Sequence, residues 1–113
     1  MHEYSIVTSL LDLCKENAKK EGAAKIIKVE VKIGKLSGVE PYLLKSAFEA
    51  FKEGTICQNA EFIMNIQEVV LFCNNCNKQF EIHNFEMRCP SCDSISVDIV
   101  DGKEMYLMSL EME

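Results

Sequence analysis

Two short motifs, CNNC at residues 73–76 and CPSC at residues 89–92, decide how this chain of 113 residues is organised. Each motif can wrap a tight turn around one side of a metal ion, and two such turns supply the four thiolates of a tetrahedral zinc site. Asn77 and Asp93 follow the two motifs, and both residue types tolerate the positive φ that such a turn often needs. The spacing therefore predicts four zinc ligands: Cys73, Cys76, Cys89 and Cys92.

The same cysteines allow a second interpretation, because CPSC alone is compatible with a thiol-exchange enzyme that carries a reducible disulfide and no zinc. Two pairs with twelve residues between them favour metal. Four thiolates leave no open position for water, so the predicted zinc is structural and not catalytic. His83 lies between the pairs and is interpreted as a surface side chain, with an outer hydrogen-bond donor or a substitute ligand as the alternatives.

Composition and charge argue against several classes of protein. Hydrophobic residues make up 48% of the chain and charged residues 27%, which is typical of a globular domain. No apolar run reaches the roughly 18 residues of a membrane span, and the first residues lack the features of a signal peptide. The net charge of −6 disfavours binding to nucleic acid or to a membrane. Paired cysteines without an export signal favour a reducing compartment, so we expect a cytoplasmic protein.

Hydrophobic periodicity predicts two helices. From Tyr4 to about Lys20, apolar residues recur every three or four positions and form one helical stripe: Ile6, Val7, Leu10, Leu11, Cys14 and Ala18. Ser37 and Glu40 match a capping box, and Pro41 is tolerated in a first helical turn. The second helix is predicted to end near Gly54 and to bury Leu44, Ala47, Phe48 and Phe51.

Alternating segments predict the strands. Apolar and polar residues alternate strictly over residues 27–33. They also alternate over residues 61–72, where the pattern becomes irregular from Val69. A third alternating segment covers residues 104–112, with Tyr106, Met108, Leu110 and Met112 on one side. The irregularity from Val69 indicates a change of sheet face or a bulge. A short alternating stretch at residues 95–99 and a turn at Asp101-Gly102 lie between the cysteines and the last strand.

These segments predict an α+β fold, in which two helices pack on one face of a three-stranded mixed sheet. The first two strands pair in parallel through a right-handed crossover, and the last strand returns beside the second. The cysteine segment is then an inserted zinc-binding domain of residues 71–100, within a domain formed by residues 1–70 and 101–113. Since so small a unit rarely folds by apolar burial alone, the metal supplies most of its stability.

The first residues are a candidate site for a second metal. The amine of Met1, the amide nitrogen of His2 and its imidazole can chelate one ion, and Glu3 can add a further ligand. Nitrogen-rich donors of this kind suit Ni(II) or Cu(II). Most terminal histidines bind nothing, so the residues alone leave this site open. Cys14 is interpreted as a core residue, and Cys57 has no partner that the sequence indicates.

The whole chain resembles the HypA family, nickel metallochaperones for [NiFe]-hydrogenase maturation. The resemblance rests on MHEYS at residues 1–5, KLSGVEP at 35–41, AFE at 47–49, the two cysteine pairs and SLEM near the end. It implies a nickel site at Met1, His2 and Glu3 with Glu40 near the metal, and zinc bound by the four cysteines. It also implies a fold of two helices and a three-stranded sheet with an inserted zinc domain.

The expected function is therefore delivery of Ni(II) without turnover of a substrate. The partners that the resemblance implies are the GTPase HypB and the hydrogenase large-subunit precursor, with urease accessory proteins in those organisms where the family also serves urease. Both a monomer and a homodimer are compatible with the chain. The alternative is a small zinc ribbon that binds nucleic acid or protein, but residues 71–102 carry two basic residues, Lys78 and Arg88, against five acidic ones.

Overall fold

The computed structural model describes residues 3–113, so Met1 and His2 lie outside the described residues. In chain order the elements are α1 (Glu3–Glu21), β1 (Ile26–Gly34), α2 (Pro41–Phe51), β2 (Glu61–Gln67), β3 (Val69–Cys73), β4 (Lys78–Ile82), β5 (Val97–Asp101) and β6 (Met105–Met112). No helix within residues 3–113 is both long and apolar enough to cross a membrane.

A first sheet has the strand order β2-β1-β6 and carries the two helices. β1 pairs in parallel with β2 and antiparallel with β6, which confirms the predicted mixed sheet. The predicted place of the last strand is wrong, because β6 lies beside β1 and not beside β2. This order puts β1 in the centre, where its apolar residues Val29, Val31 and Ile33 are fully buried under the helices.

A β-bulge changes which residues of β6 face the core. Ser109 lies opposite Glu30 and Leu107 lies opposite Val31, so Met108 is an extra residue without a partner on β1. The side chains that pack against the helices are consequently Met105 and Leu107 before the bulge, and Leu110 and Met112 after it. The predicted alternation through Tyr106, Met108, Leu110 and Met112 therefore coincides with the face toward the core only at Leu110 and Met112.

The helices bury the faces that their periodicity predicts, with one exception. Val7, Leu10, Cys14 and Ala18 of α1 are buried, as are Leu44, Ala47 and Phe48 of α2. Phe48 stacks on Phe62 of β2 at a ring-centroid distance of 4.4 Å. The predicted burial of Phe51 is wrong: it lies in the last turn of α2, is 44% exposed and packs edge-on against Tyr4.

The start of α2 differs from the predicted capping box. The N-cap residue is Glu40, whose carboxylate accepts a hydrogen bond from the backbone N–H of Tyr42 at 3.1 Å. The hydroxyl of Ser37 accepts instead from the backbone N–H of Val39. Because Pro41 occupies the first helical position, the helix begins there, three residues later than a Ser37 cap would require.

A second sheet has the strand order β4-β3-β5, and both pairings are antiparallel. Its small core comprises Val69, Leu71 and Ile82, with Val97 and Ile99 packed against them. The predicted strand over residues 61–72 is divided at Glu68, where the chain leaves the first sheet and enters the second. The blurred alternation therefore marks a change of sheet, whereas β4 was not predicted.

The two sheets meet where three backbone segments cross. Leu36 N–H donates to Gly102 O at 2.8 Å, and Lys35 N–H donates to Gln67 O at 2.9 Å. A Cβ on Gly34 would overlap the carbonyl of Gly102, so the crossing leaves no room for a side chain there.

Candidate metal centre

The four cysteines come together at one end of the second sheet. Cys73 is the last residue of β3, Cys76 lies in the turn before β4, and Cys89 and Cys92 lie in the connection to β5. Their Sγ atoms all lie within 4.8 Å of one another. Within residues 3–113 this is the one group of ligating side chains close enough to share a metal ion.

The separations of the sulfur atoms fit a tetrahedral zinc ion. Sγ of Cys73 lies 3.6 Å from Sγ of Cys92, and Sγ of Cys76 lies 3.7 Å from Sγ of Cys89. Zinc–sulfur bonds of about 2.3 Å give a tetrahedron with edges of about 3.8 Å. The same distances are far longer than a disulfide bond of about 2.05 Å, and all six cysteines are free. The donor set therefore fits zinc, as the two motifs predict.

The two cysteine pairs form matching turns. Asn77 has φ 56° and Asp93 has φ 62°, which confirms the predicted positive φ after each pair. The N–H of Asn77 donates to Cys73 O at 2.8 Å, and the N–H of Asp93 donates to Cys89 O at 2.9 Å. The left-handed residue closes each turn, so that both thiols of a pair point to the same side.

Backbone amides also point at the sulfur atoms. Cys76 N–H donates to Sγ of Cys73 at 3.5 Å, and Cys92 N–H donates to Sγ of Cys89 at 3.4 Å. Hydrogen bonds of this kind favour the thiolate, which is the form that binds metal. These backbone N–H groups therefore stabilise negative charge on the sulfur atoms of Cys73 and Cys89.

The thiols differ in their acidity. The side-chain amide of Asn75, followed by the backbone N–H of Ser94, lowers the pKa of Cys92 to about 6. Burial, followed by the hydrogen bond with Cys73, raises the pKa of Cys76 to about 12. The first thiol therefore offers a thiolate near neutral pH, whereas a metal cation must displace the proton of the second.

His83 does not join this site. Its imidazole contacts two carboxylates, with Nδ1 at 3.0 Å from Glu68 and Nε2 at 3.6 Å from Glu81. Its side chain is 69% exposed, in agreement with the predicted surface position. The contact with Glu68 spans fifteen residues of sequence and has no local signal, so sequence reasoning missed it.

Cys14 and Cys57 both lie in the core under the first sheet. The hydrogen bond with Cys57, together with burial, raises the pKa of the Cys14 thiol. Cys14 is therefore a core residue, as predicted. The fold brings Cys57 into contact with Cys14, and the sequence did not indicate this contact.

Glu3 and Glu40, two of the four residues predicted for nickel, are adjacent in space. Glu3 lies in the first turn of α1, and its Oε2 accepts a hydrogen bond from the backbone N–H of Glu40 at 3.2 Å. The beginning of α1 is thereby held against the beginning of α2. The other two residues, Met1 and His2, lie outside the described residues.

Comparison with known proteins decides the family. The family model described as "Hydrogenase/urease nickel incorporation, metallochaperone, hypA" matches residues 1–112. The chain belongs to the HypA family. This confirms the resemblance inferred from the sequence and places the chain among the nickel metallochaperones for hydrogenase maturation.

Individual HypA proteins match over the whole chain. The hydrogenase maturation factor HypA of Aquifex aeolicus is 48% identical over 113 residues, which cover 100% of this chain and 98% of the relative. That of Wolinella succinogenes is 45% identical, with 100% and 96% covered. The solution structure of the HypA nickel metallochaperone from Helicobacter pylori is 43% identical, covers 99% of this chain and 97% of its own, and has a TM-score of 0.72. A second HypA solution structure, also 43% identical, has a TM-score of 0.77.

Proposed function

We propose that this HypA-family protein binds Ni(II) at its N-terminus and delivers it for the maturation of [NiFe]-hydrogenase. The observation that carries the proposal is the match of the family over residues 1–112, which includes the residues Met1-His2-Glu3. The contact between Glu3 and Glu40 supports it, because it joins the two acidic residues of the proposed site.

The terminal site has the chemistry of a carrier. We propose that the amine of Met1, the amide nitrogen of His2 and its imidazole hold the nickel ion, with the carboxylates of Glu3 and Glu40 close by. Nitrogen donors suit Ni(II), and they must lose protons to bind it. Nickel affinity therefore falls as the pH drops through the histidine range near 6.5. Ligands at a chain end are also easily displaced by a partner, so the ion can be released.

We propose a structural role for Zn(II) bound by Cys73, Cys76, Cys89 and Cys92. A bound zinc ion cross-links the two cysteine turns and supplies folding free energy. The second sheet needs this because its own core has three buried residues, Val69, Leu71 and Ile82. We accordingly divide the chain near Glu68 and Asp101 into a nickel-binding domain and an inserted zinc-binding domain.

The proposed partners follow from nickel delivery. We propose the GTPase HypB, the hydrogenase large-subunit precursor as recipient and, where urease is served, urease accessory proteins. We also propose that the protein works in the cytoplasm and turns over no substrate of its own. The excess of acidic residues disfavours the alternative role in binding nucleic acid.

The test is nickel and zinc content of untagged protein, with nickel affinity measured by calorimetry. We expect His2→Ala, or an extension before Met1, to weaken nickel binding and to leave zinc content unchanged. The loss should be tenfold or more, since even an outer partner of a metal ligand is worth about 10–100-fold in affinity. His83→Ala is the matched control and should retain nickel. Nickel affinity that is indifferent to both changes at the terminus would exclude this site.

A further inference from the structure

The last strand, β6, forms one edge of the first sheet and has no strand on its outer side within residues 3–113. It contains one charged side chain, Glu111, and no proline. Edge strands of soluble proteins usually carry lysine or proline, or are very short, and these features prevent another strand from pairing with them. Apart from its bulge, β6 has none of these features, so its edge is open to a further strand.

Four residues of β6 direct their backbone groups to this open edge. Glu104 O accepts a hydrogen bond from Gly34 N–H, and Glu113 N–H donates to Lys25 O, so both acidic residues bond to the side of β1. Backbone groups of successive strand residues point to opposite edges, and their direction follows the face of the side chain. The residues that face the helices therefore direct their backbone groups to the open edge: Met105, Leu107, Leu110 and Met112.

The space between α1 and β6 is open along the same edge. One cavity of about 660 Å³ is lined by Leu13 of α1 and Met105 of β6. A second cavity, of about 680 Å³, is lined by Leu110 and Met112 together with the end of α1. Leu13 is 41% exposed, so the helix does not shield the inner face of β6 completely. Further apolar side chains can therefore be accommodated on this side of the sheet.

We propose that β6 pairs antiparallel with β6 of a second copy of this chain, so that the two sheets become continuous, with a twofold axis between Met108 and Ser109. A bulge disrupts pairing with a regular strand, because the extra residue shifts the alternation of faces by one position. In a second copy the extra residue lies at the same place, so the alternation of the two strands stays matched. The bulge therefore favours a second copy over an unrelated strand. The inference does not rest on nickel delivery.

This register brings side chains of the same character together. On the helix side, Met105 lies opposite Met112 of the second copy, and Leu107 lies opposite Leu110 of the second copy. The backbone groups that these residues direct to the open edge can form hydrogen bonds in pairs across the axis. Their side chains fill the cavities beside α1, where they lose contact with water.

The distribution of charge is compatible with the same register. The net charge of −6 opposes association unless acidic groups are kept apart or compensated. Glu111 lies opposite Tyr106 of the second copy, so the charged residues of the two strands do not face each other. The acidic residues that flank the strand, Glu104 and Glu113, meet at its two ends. There Nζ of Lys25 lies 3.2 Å from the carboxylate of Glu113 and compensates its charge.

Sedimentation of the untagged, zinc-loaded full chain, from micromolar to millimolar concentration, measures the association. We expect a reversible equilibrium between monomer and dimer. Leu110→Lys and Met108→Glu should each weaken it at least about tenfold, because the twofold axis places every added charge in the interface twice. Met108 is 54% exposed, so its replacement leaves the fold of the monomer intact. Ile66→Lys, at a 48% exposed position of the opposite edge strand β2, is the matched control and should retain the dimer.

Amide hydrogen exchange identifies the edge that pairs. The N–H groups of Leu107 and Leu110 should gain protection as the dimer forms, whereas that of Glu111, which points to β1, should be protected at every concentration. The proposal is overturned by a chain that stays monomeric at millimolar concentration, by a dimer that survives Met108→Glu, or by a dimer that Ile66→Lys abolishes. Should Leu110→Lys fail to fold, Met108→Glu and the exchange of the two leucine amides still give the decision.

Discussion

At the scale of single residues, Gly102 shows how tightly the two sheets are joined. Its φ is 95°, in the region that favours glycine, and a Cβ there would lie 2.8 Å from the carbonyl oxygen of Glu68. Gly54 also has a positive φ, of 77°, but a Cβ there would meet open space. A side chain at Gly54 would therefore introduce backbone strain alone, whereas a side chain at Gly102 would add a steric clash to that strain.

Alanine at these positions should reveal the difference. We expect Gly54→Ala to lower the free energy of unfolding by about 1 kcal/mol, which is the cost of a left-handed L-residue. Gly102→Ala should cost about 2–4 kcal/mol, since displacement of packed backbone adds to that strain. Urea unfolding of the zinc-loaded protein measures both values. Equal losses of unfolding free energy for the two variants would show that the chain segments around Gly102 can move apart to accommodate a methyl group.

At the scale of elements, α2 carries two phenylalanines with different roles. Phe48 is fully buried and stacks on Phe62, whereas Phe51 is exposed at the end of the helix. We expect Phe48→Ala to cost about 3–5 kcal/mol of unfolding free energy, because it removes a buried ring and leaves a cavity. Phe51→Ala should cost less than about 1.5 kcal/mol, since a partly solvated ring loses less contact.

Thermal and urea unfolding of these two variants, in the same zinc-loaded state, provide the measurement. Phe51→Ala is the matched control, because it truncates the same side chain in the same helix. A loss for Phe51→Ala as large as that for Phe48→Ala would mean that a further contact covers the exposed ring.

The elements also show which parts of the fold are predictable from sequence. Periodicity identifies the buried stripe of α1 and the central strand β1, because both depend on local spacing alone. It fails at Phe51, because the burial of this ring depends on how far the sheet extends under α2, which the local sequence does not encode. It fails again at Met108, where pairing with β1 creates a bulge that reverses the inward face of β6.

The candidate site likewise has one part that the sequence predicts and another part that it does not. The two cysteine motifs predict the sulfur cluster and the positive φ of Asn77 and Asp93, because each turn is built from neighbouring residues. Contacts between distant residues, such as Glu3 with Glu40 and His83 with Glu68, depend on how the helices and sheets are arranged. No spacing rule of a single sequence contains that information.

At the scale of the whole molecule, the two sheets differ in what holds them together. Within the described residues 3–113, the core under the first sheet contains fifteen buried residues, whereas the core of the second contains three. Apolar burial alone can therefore sustain the first sheet, while the second is expected to depend on the zinc ion that we propose for the four sulfur atoms.

Removal of zinc should consequently unfold one part of the protein and leave the other. With a chelator, we expect amide protection to be lost in β3, β4 and β5 and to persist in β1 and the helices. Hydrogen exchange followed by nuclear magnetic resonance resolves the two regions, and renewed addition of zinc should restore the second. Loss of protection in β1 on the same timescale would instead mean that the crossing at Gly34 and Gly102 makes the chain a single cooperative unit.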